Sequence, residues 1–262
     1  MSVDFSLRGK SLVVAFLLME ATTLADGAGG VSDDLVFWRN VRERILGGEV
    51  TTEERQELLG NLTGRLQTNP HLRSFLQDSV VRESSVEVRF FLATAFIMGL
   101  DAENVADCEV FLADSSSRVR QVALAAVGRH RLVSLASIIP ASLLATNAWE
   151  RMLALTAIRA TLGPQGIMYY VQMLNDPDDE VAARAAVCLR SVDKGRVAPH
   201  LVEFLETNRD NPRRTPVVRE ALKSLYVLHE LPCPSPLELS TEVDSWLNRL
   251  REGQTVILDG ER

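Results

Sequence analysis

The chain has 262 residues, 46% of them hydrophobic and 24% charged, with a formal net charge of −7. That is the composition of a folded protein of one or two domains, not of a disordered or fibrous chain. An acidic balance argues against strong phosphate binding, and Cys108, Cys188 and Cys233 fit neither a disulfide framework nor a metal-ligand spacing.

Residues 1–30 admit two readings. Arg8 and Lys10 precede an apolar run from Leu12 to Met19, and Ala25 follows, which is the outline of a signal peptide and of an exported protein. Against that, Asp4 lies in the would-be basic region, the run has only eight residues and Glu20 ends it. A docking helix in a cytoplasmic protein is the preferred reading, and the run is too short to span a bilayer. Asp26-Gly27-Ala28-Gly29-Gly30 then reads as a flexible joint.

A helical cap is expected over residues 31–69. Its first helix covers 33–46, capped by Ser32 or Asp33, with Leu35, Trp38, Val41 and Ile45 on one side and Gly47-Gly48 as the stop. Thr51 and Glu54 have capping-box spacing at the start of a second helix that runs to about Gln67.

From residue 70 to 230 one helical pattern recurs. Segments opening at Val88, Val119, Glu150 and Val181 are spaced by 31 residues, and a fifth opens at Val217 after five extra residues. In register they give columns at i, i+3, i+4, i+7 and i+8. The first column holds Val88, Val119, Glu150, Val181 and Val217, and the second Phe91, Val122, Leu153, Arg184 and Glu220. The two middle columns are mostly small, and the last holds Phe96, Val127, Ile158, Leu189 and Leu225. Arg184 and Glu220 stand where apolar residues are expected, which predicts that they face each other as a pair.

A preceding helix ends in register at Val81, Leu112, Leu143, Leu174 and Leu205, and Pro140 should kink or split the third of these. Of the adjacent Tyr169 and Tyr170, one should be exposed. Between the paired helices, Asp and Ser residues such as Asp114 and Asp178 can cap the next helix, and Ser84 with Glu87 suggests a capping box. The insertion at 208–214 carries Arg213 and Arg214 and is a candidate contact loop. Beyond residue 230 come a Pro-rich connector, a final helix over 241–251 and a strand-like tail at 255–259; residues 231–262 form a second cap.

The segment from Asp176 to Leu189, D-P-D-D-E-V-A-A-R-A-A-V-C-L, resembles HEAT repeats of the short phycobilisome-lyase type over roughly residues 70–230. The expected fold is therefore all-α, an α-solenoid of about five HEAT-like helical hairpins with non-repeat caps at both ends. The resemblance also implies a ladder of Asp and Arg six residues apart. Glu83 with Arg89 and Asp114 with Arg120 match it, whereas Arg151 and Asp176 have each lost that partner and are candidates to bond between repeats.

No catalytic residue, metal site or cofactor is expected. Histidines 71, 130, 200 and 229 lie at unrelated repeat positions, and no H-E-x-x-H, G-x-S-x-G, Walker or C-x-x-C pattern occurs. Charge is uneven: residues 112–223 hold 15 Lys/Arg against 11 Asp/Glu, whereas residues 1–111 hold 10 against 17. The leading expectation is a non-enzymatic interaction or scaffold module. The resemblance implies a concave face lined by second helices, and counting away from the core columns puts Arg118, Gln121, Arg129, Arg159, Arg190 and Lys223 on it. The partner would be an acidic protein segment. Two alternatives come from the resemblance: a glycosylase-like nucleic-acid binder, supported here only by Trp149 and the central arginines, and a bilin lyase or cofactor-loading chaperone.

Overall fold

A computed structural model describes residues 29–48, 50–100, 105–230 and 243–245. Every regular element among them is helical. The apolar run at 12–19, the joint residues 26–28, Cys233, the connector and the tail lie outside the described residues. Of the final helix only 243–245 are described; they are helical, with Val243 buried. No helix among the described residues is long and apolar enough to cross a membrane.

The chain divides into two compact units, Met1–Val122 and Ala123–Arg262. The first holds α1 (Gly29–Gly47), α2 (Thr52–Thr68), α3 (Pro70–Arg82), α4 (Val86–Met98) and α5 (Val105–Leu112). The division falls inside α6 (Ser117–His130). The second unit continues with α7 (Ala148–Leu162), α8 (Ile167–Met173), α9 (Asp179–Leu189), α10 (Lys194–Asn208) and α11 (Thr215–Leu228).

In the first unit α4 packs on α1, α2, α3 and α5. Trp38, Val41 and Ile45 bury one side of α1, and Leu58, Leu62 and Leu66 do the same for α2. Helix α1 starts at Gly29, earlier than expected, so Ser32 and Asp33 do not cap it and Gly29-Gly30 are helical. Asp34 works from inside the helix, accepting bonds from Arg65 and, at 2.8 Å, from Asn69. Gly48, at φ +70°, ends the helix in a conformation that costs glycine least. The Thr51–Glu54 capping box forms, with Glu54 N donating to Thr51 Oγ1 and Thr51 N to Glu54 Oε2. Those bonds hold the Glu54 carboxyl below its ordinary pKa. Thr51→Ala should therefore cost about 1 kcal/mol in urea denaturation; an unchanged midpoint would show that the box contributes nothing. The next cap is Ser85, not Ser84. Helix α4 starts one residue late, and Ser85 Oγ accepts from Val88 N.

In the second unit α7 packs on α9 and α9 on α11, forming a row. The 139–144 turn packs on α7, α8 on α9, and α10 on α11, making a second layer. Around Pro140 the chain makes only 3-10 turns, at Val133–Leu135 and Ile139–Leu144. A proline there removes the N–H that an α-helix would need, so the third copy has no first α-helix. Tyr170 is fully buried and Tyr169 is half-buried.

The repeat columns at i, i+4, i+7 and i+8 are buried in every copy, from Val88 and Leu92 to Ser224 and Leu225. The i+3 column is not, since only Phe91 is fully buried there. The missing core position is i+5, where Ala93, Leu124, Leu155, Ala186 and Leu222 are all buried. The column of first-helix ends also needs correction. Val81 is 77% exposed and its neighbour Val80 only 2%, while Phe111 is buried and Leu112 half-buried. A step of 100° per residue puts both members of such a pair at the edge of the core, and in α3 only Val80 turns inward.

Candidate partner-binding face

The ladder residues make one bond pattern at two places. Arg89 reaches back to the carbonyls of Glu83 and Ser84 at 2.9 and 3.2 Å, and forward to Asp114 at 2.7 Å. Arg151 takes the carbonyls of Ala145 and Thr146 and pairs with Asp176, Nε to Oδ2 at 2.8 Å and Nη2 to Oδ1 at 2.7 Å. Asp114 and Asp176 also accept from the backbone N–H two residues on, which fixes the turn into the next helix. The carboxylate beside each guanidinium raises the arginine pKa. Arg120 bonds the carbonyls of Asp114 and Ser115, and Glu83 accepts from Arg42 at 2.6 Å. Each of these two arginines pairs with the carboxylate 25 residues later and takes only the backbone carbonyl of the residue six before it, Glu83 or Ala145.

The expected partner-binding residues divide between the units. In the first, Arg118 is exposed and stacks its guanidinium 4.0 Å from the Phe90 ring centre, and Gln121 donates to Ser117 at 3.0 Å. In the second, Arg129 and Arg159 are exposed, while Arg190 pairs with Glu220 and donates to Ser224 at 3.0 Å. Lys223 also approaches Glu220, at 3.4 Å. The predicted Arg184–Glu220 pair does not form. Neighbouring helices of the row are offset along their axes, so residues of the same column do not oppose each other, and Glu220 is met by Arg190.

In the 208–214 loop, Arg213 is exposed and Arg214 bonds Asp179 at 3.0 Å, which ties the loop to the start of α9. Trp149 is 54% exposed at the start of α7.

Taken together, the residues of α7, α9 and α11 that are not fully buried, with Arg190 at the end of α9, include the cations Arg159, Arg184, Arg190, Arg219 and Lys223 and the acids Asp179, Glu180 and Glu220. Arg219 escapes sequence reasoning because it lies next to a core column, and Arg184, which the columns single out, is assigned there to Glu220 and not to a cationic face. Half-buried placement without a carboxylate partner shows only in three dimensions. The Nε of Arg219 is buried and makes no hydrogen bond.

The chain matches no protein-family model, no curated protein and no solved structure. Among the described residues no group of three or more His, Cys, Asp or Glu could hold a metal ion. Burial pushes the Cys108 thiol up to about 12 and the Cys188 thiol up to about 11. Both should stay unlabelled by a thiol reagent at pH 8 in a Cys233→Ser variant and react fully once urea unfolds the chain. Labelling of the native variant would show that one of these sites opens.

Proposed function

We propose that the chain is a non-enzymatic interaction module built of HEAT-like helical hairpins, and that it binds an acidic protein segment along the solvent-facing side of its second helices. The observation that supports this reading is the excess of five cations over three acids along α7, α9 and α11, two of the acids being already paired, Asp179 with Arg214 and Glu220 with Arg190. A face with an excess of one sign attracts an oppositely charged segment and selects against like-charged ones. The ladder arginines play no part in capture, being committed to carbonyls and carboxylates of the chain itself.

A fluorescein-labelled decaglutamate peptide provides the test, by polarisation at about 0.15 M salt. Binding by the wild-type chain, and its loss in the triple variant Arg159→Glu, Arg190→Glu, Lys223→Glu with the fold retained by circular dichroism, is the expected result. Equal binding by the triple variant would refute the assignment of the face. Tighter binding to duplex DNA than to the peptide at the same salt would favour the nucleic-acid alternative instead.

A further inference from the structure

We propose that Arg159 and Arg184 together form a seat for a carboxylate side chain of the acidic segment, a proposal that rests on the protein-binding reading above. It follows from the way successive helices of the second unit meet. Three steps of the repeat show the same register, with residue i+9 of one helix lying on residue i+7 of the next. At the first step a Cβ on Gly128 would sit 3.5 Å from the backbone of Ala157. At the last, Arg190 donates to Ser224 and also meets Glu220, the i+3 residue of α11. At the middle step i+9 is Arg159, i+7 is Cys188 and i+3 is Arg184. Cys188 Sγ lies 3.8 Å from Leu155 O, the i+5 carbonyl of α7, just as Ser224 Oγ donates at 2.8 Å to Ala186 O, the i+5 carbonyl of α9, so the middle step keeps the register.

The last two steps therefore differ in two chemical respects, the first being Cys188 in place of the Ser224 hydroxyl that accepts from Arg190. The second is that where α11 offers Glu220 to Arg190, α9 offers a second arginine to Arg159. Neither Arg159 nor Arg184 has a hydrogen bond or ion pair among the described residues. Two guanidinium groups on adjoining helices repel each other, and an anion between them reverses that cost. Each guanidinium presents a planar fork of donors that matches a carboxylate. The chain's own example of an anion in this register is the carboxylate of Glu220, so the occupant is an Asp or Glu side chain from the partner. Arg190, by contrast, is already satisfied and contributes little to capture.

The decaglutamate titration tests this with the full chain. Arg159→Gln with Arg184→Gln should weaken binding about tenfold or more, and Arg184→Lys should weaken it less. Glu220→Gln should tighten binding several-fold, because it releases Arg190 and adds a second seat. Circular dichroism and thermal melts confirm that each variant is folded. If wild type binds and the double glutamine variant binds equally well, the seat is wrong while the broader protein-binding reading stands. If wild type does not bind, both fall. Displacement of the peptide by millimolar inorganic phosphate, in wild type but not in the double variant, would overturn the carboxylate assignment in favour of a phosphate site.

Discussion

Arg151→Met is expected to destabilise the second unit by about 3–5 kcal/mol, the cost of breaking a buried ion pair from one side. Arg151 is 8% exposed and Asp176 6%, and the guanidinium serves four acceptors: two carboxylate oxygens and the carbonyls of Ala145 and Thr146. Methionine fills much of the same volume, so the loss is of bonds and not of packing. It leaves a buried carboxylate unpaired and two carbonyls without their donor. Asp176→Asn should cost less, because its amide oxygen still accepts from Asp178 N and from one arm of the guanidinium. The double variant should be more stable than the sum of the two single losses predicts, since the second change removes a group already orphaned. Urea denaturation checks all three. Additive losses, or a single loss under about 1 kcal/mol, would show that the pair holds little of the stability of this unit.

Gly166→Ala should be destabilising by about 1–3 kcal/mol through overpacking, although its backbone is not in a glycine-only conformation. A Cβ there would lie 2.6 Å from the ring carbon that bears the Tyr170 hydroxyl, closer still to that oxygen, and 2.9 Å from Ile158 Cγ2. Tyr170 cannot swing away without loss, because it is fully buried and its hydroxyl donates to Gly163 O at 2.8 Å. Gly64→Ala makes the comparison informative. Gly64 lies inside α2, exposed, with nothing within 4 Å of the added carbon, so alanine there should stabilise by about 0.5–1 kcal/mol. The two variants should move the melting temperature in opposite directions, and a shift of the same sign in both would contradict the packing described around Tyr170.

How much of this was legible in the sequence depends on the kind of contact. The starts of α4, α6, α7 and α9 follow the 31-residue spacing, and the apolar columns locate their buried sides, because burial along a helix leaves a periodic trace. The trace is blind at i+5. Ala93 and Ala186 are too small to mark a column, and the five-point stripe has no place for a residue that packs on a second neighbour. It is blind in another way at Arg184 and Glu220, where sharing a column suggests contact. Columns record which way a residue points from its own helix, whereas contact depends on the offset between helices. That offset brings Arg190, not Arg184, to Glu220. Of the ladder, Arg151 does meet Asp176, but the pairs six residues apart do not join side chain to side chain, for a related reason. Six residues separate Asp114 from Arg120, but what Arg120 takes from Asp114 is the backbone carbonyl, and the Asp114 side chain goes to Arg89. Spacing can show that two residues belong to one turn without showing which of their atoms meet.

The most direct test of the binding face is amide hydrogen exchange of the full chain with and without saturating decaglutamate, followed peptide by peptide. Slower exchange on adding the peptide, confined to α7, α9 and α11 and absent from α1 and α2, is the result expected if the cation-rich face holds the acidic segment. Peptide bound without slowing in those three helices, or with slowing only in α1 to α3, would contradict it.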